Sequence, residues 1–210
     1  MTAGSSPGSP SFADMRFADF LSAVAAKSPA PGGGAVASAS GALAAALAQM
    51  VVNYSIGKKD LLEQQEELRH ALVKLERARA VFLELADEDA AAYGQLNALQ
   101  KLPPGDAKRA AELPAAQQVA VQVPRSVAAA AIDLLRMFEQ LAPITNRYLR
   151  SDLGIAADLA EATVRAALWN VRINTDGLPP AQRTEIEKDG VRAESEASTR
   201  RDHIRLLCSI

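Results

Sequence analysis

Residues 35–52 read AVASASGALAAALAQMVV, eighteen positions without a charge, directly after the run Pro31-Gly32-Gly33-Gly34. That length suffices for a bilayer span, so the segment must be weighed as one. Its makeup points elsewhere. It is mostly alanine and serine, with Gly41 and Gln49 inside it, and such small side chains let neighbouring helices come close. The segment therefore reads as a central helix wrapped by other helices, in a protein with no membrane contact. The rest of the chain agrees. Alanine supplies 43 of 210 residues and aromatics only 4%, which favours helices over sheets. A net charge of −2 and a pI near 5.8 argue against a nucleic-acid partner. One cysteine excludes an internal disulfide, and one cysteine with two distant histidines argues against a zinc site. The opening MTAGSSPGSPS has no basic region followed by an apolar run, so a cytoplasmic protein is expected.

Residues 1–11, rich in Gly, Ser and Pro, are expected to be a disordered tail, and 12–210 a single helical domain. Ser11 reads as an N-cap. Phe12, Met15, Phe17, Phe20, Leu21 and Val24 then pattern a first amphipathic helix. The run SPAPGGG (28–34) stops it. The Ala-rich helix follows over about 35–56, with Gly57 as its C-cap. From Lys59 to about Gln100 there is no proline and one glycine, which predicts one very long helix. After LPPGD (102–106), residues 107–142 read as helix interrupted at Pro114 and Pro124, with VAVQV (119–123) as helix or kink. A loop over 142–148 leads to a helix over 151–176. Its predicted core stripe is Ile155, Leu159, Ala162, Ala166, Trp169 and Ile173. A polar last helix over 181–208 is expected to lie on the surface. The fold class is thus all-α, a single bundle of about six helices. No GxGxxG, Walker A or HExxH pattern is present.

Several polar groups stand out, each with an ordinary structural alternative. Gly32, Gly33 and Gly34 open a helix, where free amides bind anions, or they form a plain interhelix loop. Asn53, Gly57 and Lys58 close that helix. Lys58 is either a general acid or anion anchor, or a cation suited to a helix C-terminus. Asp87, Glu88 and Asp89 form an acidic triplet that is either functional or a solvated face, with Tyr93 one turn on. Asp152 is either a carboxylate at a pocket rim or N-cap chemistry. Asn170 and Asn174 share a helical face and bind either a ligand or a neighbouring helix. Arg165 and Arg172 make a possible basic edge for acidic substrate groups. His70 and His203 read as solvent-facing, Cys208 as incidental, and Trp169 as core. At 1.5 Å per residue, Gly34 and Asn53 lie ~28 Å apart, and Asp152 and Asn170 ~27 Å apart. One subunit cannot gather all these groups into one pocket. Either there are two constellations, or two subunits share one.

The stretch FADFLSAVAAKSPAPGGGAVASASGALAAALAQMVVNYSIGKKD, with the later LADEDAAAY and SDLGIAADLAEATVRAALWNVRIN, resembles the cyclodeaminase/methenyltetrahydrofolate cyclohydrolase family over about Phe17 to Leu178. The resemblance implies an all-helical homodimer acting on a reduced folate without metal or nicotinamide. Two reactions are implied. One hydrolyses 5,10-methenyltetrahydrofolate to 10-formyltetrahydrofolate. The other closes 5-formiminotetrahydrofolate with release of ammonia. The methenyl carbon sits in an amidinium cation, which a carboxylate such as Asp152 or Asp89 stabilises; carboxylates and Lys58 are the expected proton carriers. Gly32, Gly33, Gly34, Asn53, Tyr93, Asn170, Arg172 and Asn174 are the expected substrate contacts. No formiminotransferase domain is seen on the chain, which tilts the expectation towards the hydrolase. Ala35 stands where the family often has a small hydroxyl residue, and the tail after 180 matches poorly. These departures motivate the alternative, a non-catalytic folate-binding module or helical scaffold on the same fold.

Overall fold

The computed structural model describes residues 11–209. Most of the tail expectation falls on residues outside that range. Ser11 itself is within it: its hydroxyl accepts from the Ala13 amide at 3.2 Å, capping a short 3-10 turn over Phe12–Asp14. Six α-helices follow: α1 (Phe17–Ala25), α2 (Gly33–Asn53), α3 (Gln65–Gln100), α4 (Ala107–Leu141), α5 (Arg150–Asn174) and α6 (Pro180–Cys208). No strand occurs among the described residues.

The charge-free segment is the central helix. By length and hydropathy α2 passes the test for a membrane span, yet 56% of that window is buried inside the bundle. Its alanines and glycines explain how. A Cβ on Gly41 would stand 2.5 Å from the Phe82 ring of α3, so the missing side chain is the socket into which that ring fits. α3 runs antiparallel to α2, since Gly34 meets Asp89 and Gly41 meets Phe82. α5 is also antiparallel to α2: Gly33 lies beside Asn170, and at the other end the Asn146 amide donates to the Ser55 hydroxyl at 2.8 Å. α4 packs against both α3 and α5, and α6 covers α4 and α5. Beyond the main core, Leu96, Leu99, Ala116 and Ala120 form a second small cluster, which holds the projecting α3–α4 hairpin together.

Three expectations are corrected. First, neither Pro114 nor Pro124 interrupts α4. A proline removes the amide that would bond the carbonyl four residues back. For Pro124 that carbonyl is Ala120, and the Asn174 side chain donates to it at 2.7 Å; for Pro114 it is the exposed Ala110, which water can serve. Second, the stripe assigned to the core of α5 faces outward. Trp169 and Ile173 are each 70% exposed, and Ile155 is exposed too. The buried side is instead Leu153, Ala156, Ala157, Ala160, Val164, Ala167, Leu168 and Val171. α5 carries two apolar stripes, and periodicity alone does not say which one the bundle covers. Third, the long helix from Lys59 begins as a 3-10 turn over Lys59–Gln64, with Leu61 off helical geometry, before α3 proper starts.

Candidate functional site

The glycine run is built for close approach. Gly32 is the N-cap of α2 in an extended conformation, and no side chain caps the helix, so the first-turn amides are left for a ligand. A Cβ on Gly34 would stand 2.2 Å from the carboxyl carbon and both oxygens of Asp89. Position 34 therefore admits only glycine while Asp89 keeps its place. A Cβ on Gly33 would lie 3.5 Å from Asn170 Oδ1. The Asn170 amide nitrogen donates back to the Ala166 carbonyl at 3.1 Å, which leaves its oxygen turned to the glycines. Three helices thus bring Gly32, Gly33, Gly34, Asp89 and Asn170 to one end of the bundle. Tyr93, one turn beyond Asp89 on α3, is exposed.

Asp89 is half-buried, and burial pushes its carboxyl above the ordinary carboxylate range. No cation pairs it among the described residues. Two residues earlier, and so on the opposite side of α3, Asp87 has a different task. It accepts from the Ser11 hydroxyl at 2.5 Å and the Phe12 amide at 2.8 Å, so it ties the N-terminal segment to α3. Sequence reading did not single out Ser38. Its hydroxyl is fully buried without a hydrogen-bond partner, one turn in from Gly34 on the same face of α2. The signal was present as the spacing of four from the last glycine of the run.

The remaining candidates lie apart. Asn174 is spent on Ala120, and its own carbonyl accepts from Gln117. Arg172 pairs with Glu194 at 2.9 Å and lies over the Trp169 ring; Arg165 reaches Glu194 and Glu161 at 3.7 and 3.6 Å. The expected basic edge is thus already matched by acids of α5 and α6. Asn53, Lys58 and Asp152 gather at the opposite end of α2. There Gly57 takes a left-handed conformation (φ 81°), and its amide donates to Gln65 Oε1 at 2.7 Å. Lys58 Nζ stands 3.9 Å from Asp60 and 6.0 Å from the Tyr148 ring centre. Asp152 is half-buried in the first turn of α5. Among the described residues no three His, Cys, Asp or Glu are placed to hold a metal ion.

Residues 16–189 match the family model described as formiminotransferase-cyclodeaminase. The chain is 33% identical over 189 residues to a methenyltetrahydrofolate cyclohydrolase of Methylorubrum extorquens, covering 87% of this chain and 91% of that one. It is 36% identical over 159 residues to the formimidoyltransferase-cyclodeaminase of Sus scrofa, covering 74% of this chain but 29% of that longer one. The crystal structure of a formiminotetrahydrofolate cyclodeaminase from Thermotoga maritima superposes with a TM-score of 0.85 at 30% identity, over 93% of this chain and 96% of that one.

Proposed function

This chain belongs to the formiminotransferase-cyclodeaminase family and is an enzyme of folate one-carbon metabolism, and we propose that it hydrolyses 5,10-methenyltetrahydrofolate to 10-formyltetrahydrofolate with Asp89 as the proton carrier. The observation that carries the assignment to Asp89 is its half-buried carboxyl, paired by no cation among the described residues and pressed onto Gly34, beside the uncapped amides of α2. The methenyl bridge is an amidinium cation, so a carboxylate set against it is favourable before the reaction begins. Asp89 takes a proton as water adds to the bridge carbon. The resulting carbinol loses its C–N5 bond while Asp89 returns that proton to N5. The hydroxyl proton passes to solvent, leaving the formyl group on N10. A raised carboxyl pKa suits both halves of this exchange, since a group that must accept and then give a proton works best with its pKa near the operating pH. Water, an electrophilic carbon and one proton carrier complete the step, so the proposal includes no metal or redox cofactor.

The active form in this proposal is a cytoplasmic homodimer joined through α2 and α5. Val36, Leu43, Tyr54, Ile155, Trp169 and Ile173 are exposed apolar residues on these two adjacent helices. They are 7 and 11 residues apart along α2 and its C-cap, and 14 and 4 apart along α5, separations that each return to the same face of a helix. A two-fold axis across the helices sets the α2 N-terminus against the partner's α2 C-terminus, the favourable order for their dipoles. It also lays the Lys58 and Asp152 end of one copy beside the Gly34 and Asp89 end of the other. Lys58 as an anchor for the anionic part of the substrate, Asp152 as a second carboxylate facing the amidinium cation, and Asn53 then complete the site from the second copy.

The test is the absorbance of 5,10-methenyltetrahydrofolate with purified protein at a pH where spontaneous hydrolysis is slow. Catalytic loss of the chromophore is expected, and Asp89→Asn should slow it ~10²–10⁴-fold. If wild type leaves the chromophore untouched but 5-formiminotetrahydrofolate generates it, the cyclodeaminase replaces the hydrolase. If neither substrate responds, the binding-module alternative takes its place.

A further inference from the structure

Beneath the N-terminal segment lies an apolar cavity of about 250 Å³. Its roof includes Phe12, Met15 and Phe20, and its floor Ala42 of α2 and Leu83 of α3, with Arg79 at the rim. Phe12 and Phe20 meet edge to face, their centroids 5.8 Å apart. The roof is held down mainly by Asp87, through its bonds to Ser11 and Phe12, and α1 itself has no buried residue. The volume is below that of a whole-ligand pocket (~300–1,000 Å³) and suits one flat ring with its linking amide. The alanine floor offers a smooth surface to such a ring.

We propose that this cavity is the subsite for the aryl-amide end of the substrate, with Arg79 receiving the carboxylates of its glutamate. The inference rests on the folate reading above and locates the part of the substrate remote from the reaction. Three observations support it. The lining is aromatic on the roof and aliphatic on the floor. Arg79 is an exposed guanidinium that no carboxylate among the described residues pairs, whereas Arg165 and Arg172 are both matched by Glu194. Arg79 lies ten residues before Asp89 on one helix, ~15 Å along it, a span that a benzoyl ring, an amide and a dicarboxylate bridge.

The probe is p-aminobenzoyl-L-glutamate, titrated into the full chain, with p-aminobenzamide as the uncharged control that keeps the ring and its amide. Arg79→Gln should weaken the glutamate conjugate about tenfold or more and leave p-aminobenzamide binding unchanged. The same variant should raise KM for 5,10-methenyltetrahydrofolate by a similar factor at unaltered kcat. Ala46→Leu, which narrows the cavity from a half-buried position, should weaken both fragments. Equal binding to wild type and Arg79→Gln overturns the proposal, as does a wild-type protein that turns over folate yet ignores the fragment. A protein that binds the fragment through Arg79 but leaves the methenyl chromophore intact keeps the subsite and sinks the reaction.

Discussion

At the scale of single residues, Asp89 and Gly34 act as a pair. Burial raises the Asp89 pKa in the folded state. The native protein therefore holds that proton more tightly than the unfolded chain. The resulting stability is fully present below the unfolded carboxylate pKa and is lost as pH rises through the folded value. At neutral pH the ionised carboxylate is a net liability to folding. Asp89→Asn is thus expected to raise Tm near pH 7, with the gap closing as the pH is lowered below the ordinary carboxylate range; melting curves at the two pH values check this. A gain in stability with a loss of turnover is the behaviour of a group kept for chemistry. Gly34 provides the converse case. Gly34→Ala puts a methyl group where the carboxyl stands, and overpacking of this kind costs ~1–3 kcal/mol. In an Asp89→Ala background the same change should cost much less, and a double-mutant cycle by chemical denaturation measures the coupling.

At the scale of elements, α4 shows how a tertiary contact keeps a helix continuous through a proline. Pro124 leaves the Ala120 carbonyl without its helical donor, and Asn174 supplies one from α5. Removing that donor leaves a buried carbonyl unpaired, which costs ~1–3 kcal/mol. Asn174→Ala is expected to lose that amount in wild type and substantially less in a Pro124→Ala background, where the backbone amide returns. Equal losses in both backgrounds would show that Asn174 contributes through something other than this carbonyl. The lesson for sequence reading is local. Asn170 and Asn174 look equivalent as a pair four residues apart, and Pro124 looks like a break. Only the position of α4 against α5 separates a turned-out Asn170 oxygen from an occupied Asn174 amide.

At the scale of the whole molecule, the outward stripes of α2 and α5 are the feature that a lone subunit does not account for. Trp169→Glu or Ile173→Glu should leave the helical content intact and shift the protein to monomer by sedimentation equilibrium, with loss of turnover. A shared site makes a further prediction. Asp89→Asn and Lys58→Met, each inactive alone, should recover roughly a quarter of wild-type activity when subunits are mixed and exchanged, because half of the dimers then contain one intact site. Absence of recovery with exchange demonstrated would place the chemistry within one subunit.

Helix count, the central Ala-rich helix, the long third helix and the separation of the polar groups into two ends were all legible in the sequence. They depend on local propensity, on periodicity and on a rise per residue that does not vary with context. The glycine run, too, was readable as a place of close approach, though not what approaches. The tertiary structure alone decided that Asp89 fills the space over Gly34, that Asn170 faces Gly33 while Asn174 mends α4, and that Arg172 is spent on Glu194. It also decided which of the two stripes of α5 the bundle buries. Each of these depends on the azimuth and register of one helix against another, set by packing among residues far apart in the chain, and a sequence period carries no information about that neighbour.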